Sequence, residues 1–349
     1  MSATEPLLEV DGLSVEFNTP EGVVKAVRDV SWDLRPGETL GIVGESGSGK
    51  SVSVMSLMKL IPTPPGHIVA GEAWFGGRDL LKLSRRQLRR LRGKDIAMVF
   101  QDPMSSLNPV QPVGRQIAEA MVVHDQQLSD RVARSRTIEL LELVGVPQPD
   151  VRFRQYPHQY SGGMRQRAMI AMAIANRPRI LIADEPTTAL DVTIQAQVME
   201  VLKDAQRETG AAMVLITHDL GLIAEMADRV IVMYGGRVVE VGDVRTVFHE
   251  PRHPYTFGLM ASLPRLDTNT ETLPTIPGQP PSLITPPSGC AFHPRCRLQR
   301  DRADCEKQIP PLRAVASGHA SACLHHDEMD DLVEEVSEEV GVDLTGGER

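Results

Sequence analysis

Short apolar runs recur along this 349-residue chain as TLGIV at 39–43, ILIA at 180–183 and MVLIT at 213–217. Each is apolar almost throughout rather than alternating, the pattern of a strand covered on both faces in a parallel sheet. Longer stretches between them read as helices, so the order is β-α-β and an α/β core follows. Near the N-terminus LLEVDGLSVEF and VVKAVRDVSWDL alternate in character, and Pro20, Glu21 and Gly22 supply a turn between two strands. Residues 111–145 read as helical, with Ile138, Leu141 and Val144 near helix spacing. Pro274, Pro277, Pro280, Pro281, Pro286 and Pro287 exclude regular helix or strand over 274–287 and mark a linker or wrapped arm.

Composition adds bounds. The length suits about two domains of roughly 150 residues each. Hydrophobic residues make up 41% and charged residues 24%, ordinary for a globular protein. The formal charge of −9 is unevenly placed, because residues 327–349 hold ten acids and one base, leaving 36 of each sign before them. A neutral body argues against a strongly basic nucleic-acid binder. The basic run SRRQLRRLRGK at 84–94 reads as a solvated helix face. The longest apolar run, 168–175, is far short of the roughly 20 residues of a membrane helix. MSATEPLLEVDG lacks a basic start followed by an apolar stretch, so the chain is expected in the cytoplasm, reaching a membrane only by docking on other proteins.

The chemistry begins at Gly44-Glu45-Ser46-Gly47-Ser48-Gly49-Lys50-Ser51, a G-x-x-x-x-G-K-[ST] loop with an apolar strand before it and a helical pattern after it. Glycines let backbone N–H groups turn inward around phosphates, and the following helix N-terminus adds partial positive charge. Lys50 then bridges the β- and γ-phosphates and the Ser51 hydroxyl holds Mg²⁺. The strand at 180–183 ends in Asp184 and Glu185, placed to reach Mg²⁺ and to polarise an attacking water as general base. Helix capping is the competing reading of that acidic pair, and the phosphate loop favours the catalytic one.

Tyr160-Ser161-Gly162-Gly163-Met164-Arg165-Gln166-Arg167 goes further, and here the chain resembles the ATP-binding-cassette (ABC) ATPases. Their Ser-Gly-Gly turn opens a helix about twenty residues before the acidic strand, as it does here. The resemblance implies that Ser161, Gly162 and Gly163 bind the γ-phosphate of a nucleotide held by a partner subunit, in a head-to-tail pair. Met164 stands where the family usually has Gln. By the same resemblance Gln101 senses Mg²⁺ and links the core to a helical subdomain, Asp191 contacts the opposite subunit, and His218 touches the γ-phosphate. Phe17 is a candidate for stacking on adenine, with a core strand position as its alternative. The implied fold is a RecA-like α/β core, an antiparallel β-subdomain and a helical subdomain near 103–170, together filling residues 1–265.

Two stretches narrow the branch. FQDPMSSLNP at 100–109 and PRHPYT at 251–256 resemble the oligopeptide/dipeptide (and nickel) importer ATPases, in which the segment after Gln101 receives permease helices. Cys290, Cys296, Cys305 and Cys323, every cysteine of the chain, then fall within 34 residues of an extension spanning 266–326. In a reducing compartment four thiolates suit Zn²⁺ or an iron–sulfur cluster better than disulfides, with unmetallated thiols the remaining option. The spacing lacks Cys-x2-Cys pairs, which favours iron–sulfur, and some members of the branch carry a [4Fe–4S] cluster on a similar Phe-His-Pro-Arg-Cys segment. His293 within it reads as a packing residue or a support for a ligand, rather than a ligand itself. The tail at 327–349 reads as a solvated flexible segment rather than a short amphipathic helix.

Together the resemblance implies an ATPase subunit at the cytoplasmic face of the plasma membrane, using ATP and Mg²⁺. Its implied partners are a second ATPase subunit, two permease subunits and an extracytoplasmic substrate-binding protein, with no nucleic acid. The rival reading is a soluble ABC ATPase acting on nucleic acid or ribosomes. It is disfavoured because phosphate loop and Ser-Gly-Gly turn lie about 110 residues apart with no heptad run between them, and because only one cassette is present. A non-enzymatic metal-binding scaffold is a third reading, disfavoured by the full catalytic set.

Overall fold

The computed structural model describes residues 5–188, 190–262, 275–299 and 302–340. The first part of the Pro-rich arm and the end of the acidic tail lie outside them. The chain divides into two compact units, one built mainly on Lys82–Ile216 and the other on Leu8–Asp33, Leu40–Leu81 and Thr217–Arg349.

In the first unit the strands Ile96–Val99, Ile180–Asp184 and Ala212–Ile216 pair in parallel, with Ile96 opposite Ile180 and Ile180 opposite Ala212. Every residue of the last two strands is buried, as their unbroken apolar character requires. The helix Val192–Thr209 lies between them in sequence, capped by the Asp191 carboxylate on the Ile194 N–H (3.0 Å) and stopped by Gly210 in the left-handed region. A helical part occupies 103–174. The stretch read as helical over 111–145 is two helices, Val113–Val122 and Asp130–Leu143. The polar run HDQQLS interrupts them, and Ser129 caps the second by accepting from the Val132 N–H. Ala133, Thr137 and Leu141 form its buried stripe. The basic run at 84–94 forms the helix Arg85–Leu91, whose Ser84 and Gln87 make a capping box and whose only buried residue is Leu88.

In the second unit Gly22–Leu34, Leu8–Thr19, Gly66–Phe75 and Arg78–Asp79 form a four-stranded antiparallel-type sheet in that order. A second sheet pairs Thr39–Val43 in parallel with Arg229–Tyr234, which pairs antiparallel with Arg237–Asp243. The strands Arg313–Ala316 and His319–Ser321, from the stretch read as an extension, continue this sheet: Glu240 faces Ser321. The Pro-rich arm wraps onto the unit, where Leu283 C=O accepts from the Lys25 N–H (2.9 Å).

The acidic tail departs from expectation. Met329–Val340 is an amphipathic helix, and Met329, Leu332 and Val336 pack with Phe257, Ala261 and Leu298. Its acids face arginines of the same unit, Asp330 on Arg252 (3.1 Å) and Glu339 on Arg297, while Glu328 just before it meets Arg302 (2.6 Å). Val, Leu and Met at helical spacing supply an apolar stripe, and burying that stripe offsets the cost of ordering a solvated segment. Among the described residues no helix is long and apolar enough to cross a membrane.

Candidate functional site

The phosphate loop leaves the buried strand Thr39–Val43 and runs into the helix Lys50–Leu57, the strand–loop–helix context its chemistry needs. Gly44 (φ 146°) and Gly49 (φ 100°) adopt backbones that side chains resist, and a Cβ there would stand 2.2 Å from Met233 O and 2.4 Å from Ala26 O. Lys50 is 5% exposed, and its ammonium donates to the loop carbonyls of Gly44 (2.7 Å) and Glu45 (3.0 Å). Ser46 and Gly47 are exposed and Ser48 is buried with a hydroxyl lacking a protein partner, while Ser51 is half-buried on the helix's first turn.

Glu45 is held more tightly than a variable loop position needs. Its N–H donates to the Tyr255 hydroxyl (2.7 Å), and its carboxylate accepts from both terminal nitrogens of Arg295 (2.7 and 3.0 Å). Neither partner was assigned a role from sequence. The signal was present, since Tyr255 lies in PRHPYT and Arg295 in the Phe-His-Pro-Arg-Cys segment, but only the tertiary fold brings them to the loop.

His218 lies exposed between the strand ending at Ile216 and the helix Leu220–Met226 that Asp219 caps. Phe17 is half-buried on Leu8–Thr19, and its ring sits where a Cβ on Gly66 would come within 2.7 Å. Gly66 is its cross-strand partner on Gly66–Phe75.

In the first unit Asp184 is 5% exposed at the end of its strand, and Glu185 follows in a left-handed backbone (φ 44°) with its N–H donating to Ile216 O (2.8 Å). Such a conformation in a non-glycine residue is held only where surroundings enforce it, and it clusters at functional sites. The Gln101 amide donates to Glu185 Oε2 (2.8 Å), and the Thr188 hydroxyl donates to the same oxygen (2.9 Å). Gln101 and Glu185, 84 positions apart, are thus brought together, and Thr188 is an additional holder.

Ser161 is exposed and caps Gly162–Ile174 through the Met164 N–H (3.3 Å). Capping and anion binding use the same helix terminus, so the cap aims free amides of the first turn outward. A Cβ on Gly163 would lie 2.7 Å from Ile194 Cγ2, which explains glycine there. Asp191, exposed, caps the neighbouring helix Val192–Thr209.

The four cysteines lie near enough to sense one another's charge, and none is in a disulfide. Burial pushes the thiols up, Cys296 and Cys323 to about 12 and Cys305 to about 11, and Cys290 upward as well. The charges of the other cysteines add to burial, with Cys323 sensing Cys296, Cys290 and Cys305. The Cys290 N–H donates to Cys305 O (2.8 Å), closing the segment on itself. Asp304, Cys305 and His325 also offer ligand atoms within 4.8 Å of one another. His293 Nδ1–H donates to Cys290 O (2.9 Å), which fixes the ring against the cysteine segment. Cys305 is buried and the other three are half-buried; thiols raised this far stay protonated at neutral pH, and a nearby cation would reverse the cost of ionising them.

The strand–loop–helix at Lys50, the acidic strand end held by Gln101 and the Ser-Gly-Gly helix start define an ABC-type ATPase cassette. Comparison with known proteins agrees. The ABC transporter family profile matches residues 27–188, and the profile of the oligopeptide/dipeptide transporter C-terminal region matches residues 239–305. The chain is 52% identical over 324 residues to the oligopeptide transport ATP-binding protein OppD of Bacillus subtilis, covering 92% of this chain and 90% of that one. It is 49% identical to the dipeptide transport ATP-binding protein DppD of the same organism, covering 93% and 96%. Among solved structures, a dimeric ATP-binding cassette in a post-hydrolysis state with ADP and Pi aligns with a TM-score of 0.61 and 27% identity, over 68% of this chain and 98% of that one. The chain belongs to the ABC transporter ATPases, and within them to the family of oligopeptide/dipeptide transport ATP-binding proteins.

Proposed function

We propose that this chain is the ATP-hydrolysing subunit of a peptide importer, working as one of a pair of cassettes on two permease subunits at the cytoplasmic face of the membrane. The observation that carries the reading is near-full-length similarity to both oligopeptide and dipeptide transport ATP-binding proteins, together with both family profiles on one chain. Lys50 and the loop amides of residues 44–51 bind the phosphates. Ser51, Asp184 and Gln101 would hold Mg²⁺, which offsets phosphate charge when bound. Glu185, braced by Gln101 and Thr188, accepts the proton of the attacking water. Ser161, Gly162 and Gly163 offer their helix N-terminus to the nucleotide of the second cassette, with Asp191 beside that partner and His218 at the γ-phosphate. ATP binding closes the pair, hydrolysis reopens it, and the segment after Gln101 passes the motion to permease helices. An extracytoplasmic binding protein delivers the peptide.

The cysteine site is proposed to hold a [4Fe–4S] cluster, on the strength of four thiols near enough to sense one another's charge, without paired Cys-x2-Cys spacing; Zn²⁺ is the alternative of the same ligand chemistry. The function is tested by co-purification of the tagged chain from solubilised membranes. Permease subunits in stoichiometric amount support it, and ribosomes or DNA in their place overturn it.

A further inference from the structure

The phosphate loop carries its own negative charge at Glu45, next to where an anionic ligand must sit. Arg295 handles that charge. Its guanidinium is 6% exposed and grips the Glu45 carboxylate with both terminal nitrogens, at 2.7 and 3.0 Å. The same guanidinium donates Nε–H to Pro277 O (2.7 Å) and Nη1–H to the Tyr234 hydroxyl (3.1 Å), and it lies over the Tyr234 ring. Tyr234 packs on Tyr255 and Phe292, with ring centroids 4.5 and 5.1 Å away, and Tyr255 in turn accepts from the Glu45 N–H. Both ends of Glu45, backbone and carboxylate, are therefore fastened to one aromatic and arginine cluster.

Arg295 ends the short helical turn His293–Arg295, and Cys296 follows it directly. The fork is rigid, planar and bidentate, a geometry lysine cannot reproduce. Any displacement of the cysteine segment must move the guanidinium, and through it the loop.

We infer that Arg295 is a positioning residue of the phosphate loop that sets nucleotide affinity and makes it depend on the state of the cysteine segment. The inference rests on the phosphate loop being the nucleotide site. With the fork in place, the Glu45 carboxylate is neutralised and kept from competing for the phosphate-binding amides of the loop. Without it, a loose carboxylate competes for those amides and repels the ligand.

The test is titration of the full chain with a fluorescent ATP analogue and Mg²⁺, each variant first checked for a cooperative melt. Arg295→Met weakens binding about tenfold, the size of a lost charge-assisted pair. Its KM rises in step while kcat at saturating ATP stays within about twofold. Arg295→Lys restores part of the affinity. Cys296→Ser also weakens binding, and adding it to Arg295→Met weakens binding no further. Wild-type affinity in folded Arg295→Met, or additive losses in the double variant, overturns the inference. Should Arg295→Met fail to fold, Arg295→Lys carries the test: a several-fold loss supports the inference and wild-type affinity overturns it. Lys50→Ala separates the two readings: if it binds the analogue like wild type, the phosphate-loop assignment itself falls. Lost binding in Lys50→Ala beside unchanged binding in Arg295→Met overturns the Arg295 role alone.

Discussion

His253 makes the fold sensitive to acid in a way that can be worked out in advance. The residue is 1% exposed, and burial depresses its imidazole to about 3 from an ordinary value of 6.5. Geometry requires the neutral form, because Nδ1 accepts from the Tyr255 N–H (3.1 Å) and caps the helix Pro254–Ala261. A proton on Nδ1 would abolish that acceptor. The unfolded chain therefore binds more protons than the folded one between about pH 6.5 and 3, and stability falls as pH falls through that window. From pH 7 to pH 5 the linkage amounts to about 2 kcal/mol, taking 6.5 for the unfolded imidazole and negligible protonation in the fold. Urea denaturation at pH 7 and pH 5 measures it, against His253→Asn, which keeps a capping oxygen but does not titrate. Wild type should lose about 2 kcal/mol more than the variant over this interval. Parallel pH dependence in the two proteins would refute the reasoning.

Other outcomes follow from single contacts. Glu185→Gln is expected to slow ATP hydrolysis by about a hundredfold or more while ATP still binds, and a turnover near wild type in a phosphate-release assay would remove Glu185 as the base. Gly44→Ala puts a Cβ 2.2 Å from Met233 O, so nucleotide titration should show binding lost; retained affinity would mean the loop tolerates a shift the structure does not allow. Leu332→Ala, in the acidic helix and 1% exposed, should cost about 2–4 kcal/mol in denaturant unfolding, whereas an unchanged midpoint would return the tail to a solvated role. Anaerobic purification followed by iron, sulfide and zinc analysis should find iron and sulfide in equal amounts, and one equivalent of zinc without sulfide excludes the cluster.

Motifs that depend on neighbours in sequence could be read directly. The phosphate loop, the Asp184-Glu185 strand end and the Ser-Gly-Gly helix start each need a local order of strand, loop and helix, and periodicity with glycine placement reveals that order. The break at residues 123–129 was missed because the helical reading rested on Ile138, Leu141 and Val144, all beyond it, and only Ser129 and the polar run mark the stop. The tail was misjudged for a different reason. Its acids dominate composition, and the arginines that meet them, Arg252, Arg297 and Arg302, come from elements whose position periodicity does not report.

What the sequence determined by itself is the α/β class, the nucleotide chemistry and the branch of the family, because these rest on residue type and short spacing. The tertiary structure decided which distant groups meet. It set Gln101 and Thr188 on Glu185, brought four cysteines within reach of one another's charge, and fastened Glu45 of the phosphate loop to Arg295, 250 residues away. Pairings of that kind depend on which surfaces bury against which, a global minimum of packing and desolvation that no local pattern encodes.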